Sequence, residues 1–385
     1  EYMTVRRNPE GGRFFVKYGY YNGYVTADAH HLTFDGIDWV AGGGRDYGFC
    51  FRIHDGDYVT VKNGSCHETM AQGIGYYGGL SDVGITITNN VIENMEIYDT
   101  GRAWVDGGGI GNNLGMGIIL KNCSDCVARD NIIHNTYRGG IQVNHSTDGC
   151  PSGPCDVLNT LIERNEVYDF CHFRRDNDVL AGQTDCGAII IRNAPTNGDI
   201  RGVVIRNNMV HGTYSTPFSN NASPHGIYTD GIIPDAVILN NSLNNIPGAC
   251  INVEPNSRPV TIIGNAMDNC STGSAGCKGE KCALLVDRST RHKTAFNSYW
   301  AKAGDVQVVH RNWSLPITRD GVVRHWEATA VQAPPSFRSA SDLHLKGQSD
   351  LVDAQDCATA PEDDFDRQSR PQGKGCDIGA DEYHP

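Results

Sequence analysis

No apolar run in this chain approaches the ~20 consecutive residues that a membrane-spanning helix needs, so no such span is expected. Cations are the scarcer charge. Thirty-two Lys and Arg face 45 Asp and Glu, for a net charge of −13 and a pI near 5.5. That balance argues against nucleic acid or an anionic membrane as partner. It argues more mildly against a polyanionic substrate, which a local basic cleft would override. The 45 glycines show no three-residue period, which excludes a collagen-like rod. Cys123-Ser-Asp-Cys126 has the spacing of a zinc half-site, but no second such pair or close pair of histidines completes four ligands. The chain begins at Glu1 and not at Met, and removal of a signal peptide is the expectation that goes with such a start.

Cysteine, by contrast, is abundant. Fourteen are present, many in close pairs within polar loops: Cys123/Cys126, Cys150/Cys155, Cys171/Cys186, Cys270/Cys277 and Cys357/Cys376. An even, high count in Gly- and Ser-rich loops points to a disulfide framework in a secreted protein, extracellular or periplasmic. The expected local bridges are Cys123–Cys126, Cys150–Cys155 and Cys357–Cys376.

A structural period runs through most of the chain. Short strands bearing an Asn return at Ile85-Thr86-Ile87-Thr88-Asn89-Asn90, Val204-Ile205-Arg206-Asn207-Asn208 and Val237-Ile238-Leu239-Asn240-Asn241, with shorter versions between. The marker asparagines are Asn90, Asn131, Asn165, Asn208, Asn241 and Asn265, spaced by 41, 34, 43, 33 and 24 residues. The shortest spacing is a bare coil, and the longer ones are coils with inserted loops. An Asn repeated at one corner predicts a ladder in which each amide bonds to the next and satisfies a tight turn.

Such stacks bury a continuous core only by piling coil on coil. The sequence resembles the right-handed parallel β-helix superfamily, related to pectate lyases, over roughly residues 30 to 310. The resemblance implies an all-β solenoid with terminal caps: residues 1–310 form the helix with its N-terminal cap and 311–385 a capping segment packed on it. The terminal Arg370-Pro371 and Asp377-Ile378-Gly379-Ala380-Asp381-Glu382 resemble the "RP…DIGAxE" ending of many secreted bacterial β-helix proteins. The superfamily includes lyases, glycosidases, epimerases and adhesins, so fold alone assigns no chemistry.

Strand residues alternate between core and solvent. Stacking the repeating strand by its apolar positions turns Ile118/Leu120, Ile141/Val143, Ile189/Ile191, Ile227/Thr229, Ile251/Val253 and Leu284/Val286 inward. Two outward columns remain. One reads Ile119, Gln142, Ile190, Tyr228, Asn252, Leu285; the other reads Lys121, Asn144, Arg192, Asp230, Glu254, Asp287. Three acids on neighbouring coils repel one another. They call for a proton, a cation or a catalytic task.

Three readings stay open. In a glycoside hydrolase, carboxyls ~5 Å apart suit retention and a wider gap of roughly 6.5–9.5 Å suits inversion. Asp230 with Glu254 matches the first, and Asp230 with Asp287 the second. The resemblance implies Asp230 as nucleophile and Glu254 as acid/base. Tyr228, Asn252, Gln142 and His225 would hold sugar hydroxyls, with Lys121, Asn144 and Arg192 completing the substrate face. No cofactor is required. In a polysaccharide lyase or epimerase acting on uronates, Asp230, Glu254 and Asp287 would ligate Ca²⁺. Arg192 or Lys121 would then be the base and Tyr228 a proton donor. The third reading is a non-catalytic carbohydrate-binding or adhesin-type helix. All three take a polysaccharide or oligosaccharide as partner, and we expect a monomer.

Overall fold

The computed structural model describes residues 3–6, 15–17, 24–25, 30–40, 48–78, 86–101, 115–145, 156–171, 186–193, 199–212, 224–231, 233–254, 259–271, 282–286, 292–300, 307–310 and 327–385. The fold is a right-handed parallel β-helix, and among the described residues no helix is long and apolar enough to cross a membrane. Two compact units are distinguished. Unit one is Glu1–Leu161, Asp169–Asp178 and Ile189–Val203; unit two is Ile162–Tyr168, Val179–Ala188 and Val204–Pro385.

Each coil supplies one strand to each of three parallel sheets. In unit one the third sheet joins Tyr24–Val25, Phe51–His54, Ile74–Tyr77, Met116–Lys121 and Gly139–His145. In unit two it joins His225–Asp230, Ile251–Val253, Cys282–Val286 and Gln307–His310. The N-terminal strand Met3–Arg6 already pairs in parallel with Leu32–Asp35, so the opening residues contribute to the stack. Branched aliphatic residues dominate the interior because they pack well on a pleated surface. Ile227, Ile251 and Leu284 are fully buried on successive coils, each stabilising the stack by about 1.5–3 kcal/mol.

The corner asparagines form the expected ladder, and the structure explains why they come in pairs. The residue before each ladder Asn turns the chain with positive φ: Asp130, Arg164, Asn207, Asn240, Gly264 and Phe296. Asn and Asp tolerate that conformation better than most residues. The next residue then spans the coils. Asn90 belongs to another corner: it precedes Val91–Glu93 and its Oδ1 accepts the Val59 N–H at 2.7 Å, while the ladder position of that coil is Met95, whose N–H donates to Asn131 Oδ1 at 3.0 Å. In unit two the side-chain oxygens of Asn208, Asn241, Asn265 and Asn297 accept the backbone N–H of Asn165, Asn208, Asn241 and Asn265, each at 3.0 Å. Their amide nitrogens donate to the carbonyls of Ile162, Ile205, Ile238 and Ile262. The ladder runs one step beyond its sequence markers, to Asn297, and ends where Glu327 accepts the Asn297 N–H at 2.7 Å.

In unit two the tail fastens to the positive-φ corner. Arg164 Nη1 meets Asp363 Oδ2 at 2.9 Å, Asn207 Nδ2 donates to Asp363 O at 2.8 Å, and Asn240 Nδ2 donates to Gln355 Oε1 at 2.7 Å. A Cβ at Gly264 would lie 2.3 Å from Gln355 Oε1, so a side chain there would displace Gln355. Beside this corner Met209 and Ala266 pack with Phe337, Leu343, Leu345, Leu351 and Ile378. The Arg-Pro and Asp-Ile-Gly-Ala motifs meet through Arg370. Its guanidinium donates to Glu382 Oε2 and to the carbonyls of Asp377, Gly379 and Ala380.

Disulfides join Cys123–Cys126 and Cys357–Cys376 as expected, together with Cys50–Cys66 and Cys250–Cys270. The pairing of Cys270 corrects its grouping with Cys277. Cys250 lies 20 residues back, about one coil, which brings the two Cα atoms to 5.5 Å. Cys171 and Cys186 are both disulfide-bonded, while Cys150 and Cys155 lie outside the described residues. Among the described residues no cysteine is free.

Candidate functional site

The register of the third sheet sets the outward columns within each unit. In unit one Ile119 pairs with Gln142 and Lys121 with Asn144. Gln142 is buried and Asn144 half-buried. Arg192, half-buried, lies on Gly187–Asn193. The columns also extend to earlier coils that the sequence reading did not use. Arg52 pairs with Gly75 and His54 with Tyr77, and these in turn pair with Ile119 and Lys121. The signal was available, because Phe51-Arg52-Ile53-His54 alternates like the later strands. The Arg52 guanidinium lies 4.9 Å from the Phe49 ring centre and 4.6 Å from that of Tyr77, within cation–π range. Burial, and then the charges of Arg52 and Lys121 against an opposing pull from Asp55, lower His54 to a pKa of about 4.

In unit two Tyr228 pairs with Asn252, and Asn252 with Leu285. All three are buried, at 6%, 2% and 8% exposure, and Leu285 clusters with Ala249 and Cys282. Glu254 N–H donates to Thr229 O at 3.0 Å, which continues the register by one position. Asp230 and Glu254 therefore sit side by side on adjacent coils, at the ordinary ~4.8 Å strand spacing, and both are half-buried. The Tyr228 hydroxyl donates to Glu254 Oε1 at 3.1 Å. His225 opens the strand with its ring 5.4 Å from that of Tyr228, and its Nε2 is 3.1 Å from the Asn252 carboxamide. Of the predicted residues, His225, Tyr228, Asp230, Asn252 and Glu254 are thus gathered in unit two. Lys121, Gln142, Asn144 and Arg192 belong to unit one. Asp287 lies outside the described residues.

The donor set also bears on metals. The carboxylates of Asp230 and Glu254 are the oxygen donors this face would offer a Ca²⁺ that takes 6–8 oxygens, and Glu254 Oε1 already accepts from Tyr228. Among the described residues, three groups able to ligate a metal converge at His344, Asp366 and Asp381 in the tail. There His344 Nε2 faces Asp366 Oδ2 at 3.2 Å while Nδ1 faces Asp342. A ring with a carboxylate at each nitrogen can donate from both only as the imidazolium, and the neighbouring carboxylates favour that form.

A family model described as right handed beta helix region matches residues 22–168. No curated protein matches the chain. Among solved structures, the chain is similar to a pectate lyase, Pel9A, at 12% identity over 99% of this chain and 88% of that one, with a TM-score of 0.49. It is similar to a hyperthermoactive exopolygalacturonase from Thermotoga maritima at 13% identity over 74% of this chain and 69% of that one, TM-score 0.45. It is similar to a tailspike protein of E. coli bacteriophage HK620 in complex with a pentasaccharide, at 12% identity over 74% of this chain and TM-score 0.45. The match spans 46% of that tailspike, about half its length.

Proposed function

We propose that this protein is a secreted enzyme that hydrolyses glycosidic bonds in a polysaccharide or oligosaccharide, with Asp230 and Glu254 as its paired carboxyls. The observation that carries this is the pairing itself: two half-buried acids one coil apart, one of them held by the Tyr228 hydroxyl at 3.1 Å. Strands of neighbouring coils lie ~4.8 Å apart, so carboxyls on adjacent coils can approach the ~5–5.5 Å of retaining enzymes. In that mechanism Asp230 attacks the anomeric carbon and forms a glycosyl ester. Glu254 protonates the departing oxygen and then deprotonates the water that releases the sugar. Tyr228 holds Oε1 of Glu254 at 3.1 Å and so orients the carboxyl that transfers the proton. The disulfides support an oxidising compartment.

The test is a glycan panel incubated with and without chelator, read for new reducing ends and for the absorbance of unsaturated uronates. Reducing ends alone, indifferent to chelator, are expected. Unsaturated, chelator-sensitive products would replace hydrolysis by lyase chemistry. Binding without any product would make the chain a carbohydrate-binding scaffold.

A further inference from the structure

His225 makes more contacts than a sugar ligand needs, and their directions fix its protonation. The backbone N–H of Ala249 donates to Nδ1 at 3.0 Å, so Nδ1 presents its lone pair. A neutral imidazole has one donor and one acceptor nitrogen; with Nδ1 accepting, Nε2 carries the hydrogen. The structure places Asn252 Nδ2 3.1 Å from Nε2, but two N–H donors cannot bond to each other, so the carboxamide is turned over and its oxygen accepts. The two ends of a carboxamide have the same shape, and the hydrogen-bond network decides between them.

The backbone around the ring is equally fixed. His225 N–H donates to Cys186 O at 3.0 Å, and Gly248 N–H donates to Pro224 O at 2.8 Å. Gly226 follows because a Cβ there would lie 2.5 Å from both Cys250 O and Leu243 Cδ2. The strand therefore starts close against the next coil, and His225 is carried into reach of Ala249 and Asn252. On its other side the imidazole is tilted by 39° against the Tyr228 ring, whose hydroxyl holds Glu254.

We propose that His225 is a positioning residue, a neutral imidazole protonated at Nε2 alone. It holds the Asn252 amide by its oxygen and backs the Tyr228 ring, so that the Tyr228 hydroxyl stays on Glu254. The proposal rests on the glycosidase reading for its kinetic consequence but not for its tautomer. Errors of ~1 Å in the placement of a catalytic group are felt as up to about 10²-fold in rate. An effect transmitted through Glu254 appears in kcat and leaves KM unchanged.

Two measurements on the full chain test it. The first is the ¹⁵N spectrum of the histidine rings, with the His225 signals identified by their loss in His225→Phe. We expect a bare Nδ1 and a protonated Nε2 at neutral pH; a proton on Nδ1 overturns the proposal whether or not the chain hydrolyses glycans. The second uses the glycan that the panel identifies. His225→Phe keeps a ring beside Tyr228 but loses both hydrogen bonds, and Asn252→Leu removes the partner amide. Each should lower kcat by roughly 10–100-fold with KM within about twofold. The double variant should be no worse than either alone, because both break one chain of contacts. Unchanged kcat in Asn252→Leu, or additive losses in the double variant, would sink the proposal. The glycosidase reading itself fails on a different result, namely full turnover in Asp230→Asn.

Discussion

The Asn corner and the acidic column of unit two are both built by placing like residues on successive coils, and they solve that stacking in opposite ways. An Asn side chain both donates and accepts. Asn241 accepts from Asn208 N–H while its own nitrogen reaches Ile205 O and Asn265 Oδ1. Between its ends the stack satisfies itself, and only its last rung needs an outside acceptor, Glu327. An ionised carboxylate only accepts, so Asp230 and Glu254 cannot satisfy each other by stacking. Glu254 accepts from the neighbouring column, at the Tyr228 hydroxyl. A column that closes on itself reads as scaffold, and a column that must look outward reads as a site.

The sharpest way to break this contrast is to neutralise the acids. Asp230→Asn and Glu254→Gln should each lower turnover by roughly 10³-fold or more, about 4 kcal/mol of transition-state stabilisation. The melting temperature should hold or rise, because a like-charge contact is relieved. Leaving-group dependence separates the roles. Glu254→Gln should retain activity on an aryl glycoside whose leaving group needs no proton, whereas Asp230→Asn should lose that too. Equal activity of both variants on every substrate would remove the pair from the chemistry.

The ladder should respond in reverse. Asn241→Ala leaves the Asn208 N–H and the Ile205 carbonyl without this side chain in a fully buried corner, while the Asn265 side-chain oxygen keeps only the backbone N–H of residue 241. With about 1–3 kcal/mol for each buried group left unpaired, we expect a loss of about 3 kcal/mol or more in urea unfolding. A loss below about 1 kcal/mol would show that water or a neighbour replaces the amide, and the ladder would no longer count as scaffold.

Much of this contrast was legible in the sequence, for physical reasons. The Asn pair carries two requirements at once, a positive φ and a bridging amide, so it recurs visibly. Period-two alternation placed Ile119 against Gln142, Lys121 against Asn144 and Tyr228 against Asn252, as the register has them. What escaped depends on separation or on side-chain direction. Asn297 closes the ladder without an Asn before it; Phe296 takes the positive φ instead. The bond from Asn240 to Gln355 spans 115 residues, and no local pattern announces it. The contact of His225 with Asn252 escaped because the alternation was started at Ile227, which left the strand's first residue without a direction.

The tail offers a smaller effect, on pH. Burial raises Asp377 and Asp381 to pKa values of about 6. For His344 burial pulls downward, but the hydrogen bond to Asp342 and the charges of Asp381 and Asp366 reverse it, and its pKa is raised. All three folded groups hold protons more tightly than the unfolded chain does, so stability falls as pH rises. The acids act between about pH 4 and 6, and His344 acts above its ordinary ~6.5. Amide exchange, corrected for intrinsic rates, should show Leu345 N–H, the donor to Asp381, better protected at about pH 5 than at about pH 8. Protection that rose with pH would contradict the assignment of these groups.

The smallest expected effect tests the place where, among the described residues, a carboxylate ends the ladder. Glu327 can end it because an end needs only an acceptor: Oε1 takes the Asn297 N–H, and Oε2 takes Asn297 Nδ2 at 3.0 Å and the Tyr299 hydroxyl at 2.8 Å. Glu327→Gln turns an NH₂ toward one of these donors, for a loss of about 1 kcal/mol, well under that of Asn241→Ala because only one rung is affected. Burial raises the Glu327 pKa, against the pull of its hydrogen bonds from Asn297, Tyr299 and Thr294. The folded state therefore takes up its proton above the unfolded value, and the wild type loses stability as pH rises past about 4.5. Glutamine does not titrate. The gap between wild type and Glu327→Gln in urea unfolding should thus be widest near pH 4.5 and narrow toward neutrality. A gap that widened with pH would mean that the three donors hold the ionised form more strongly than burial opposes it, and that even a ladder carboxylate behaves like the acids of the outward column.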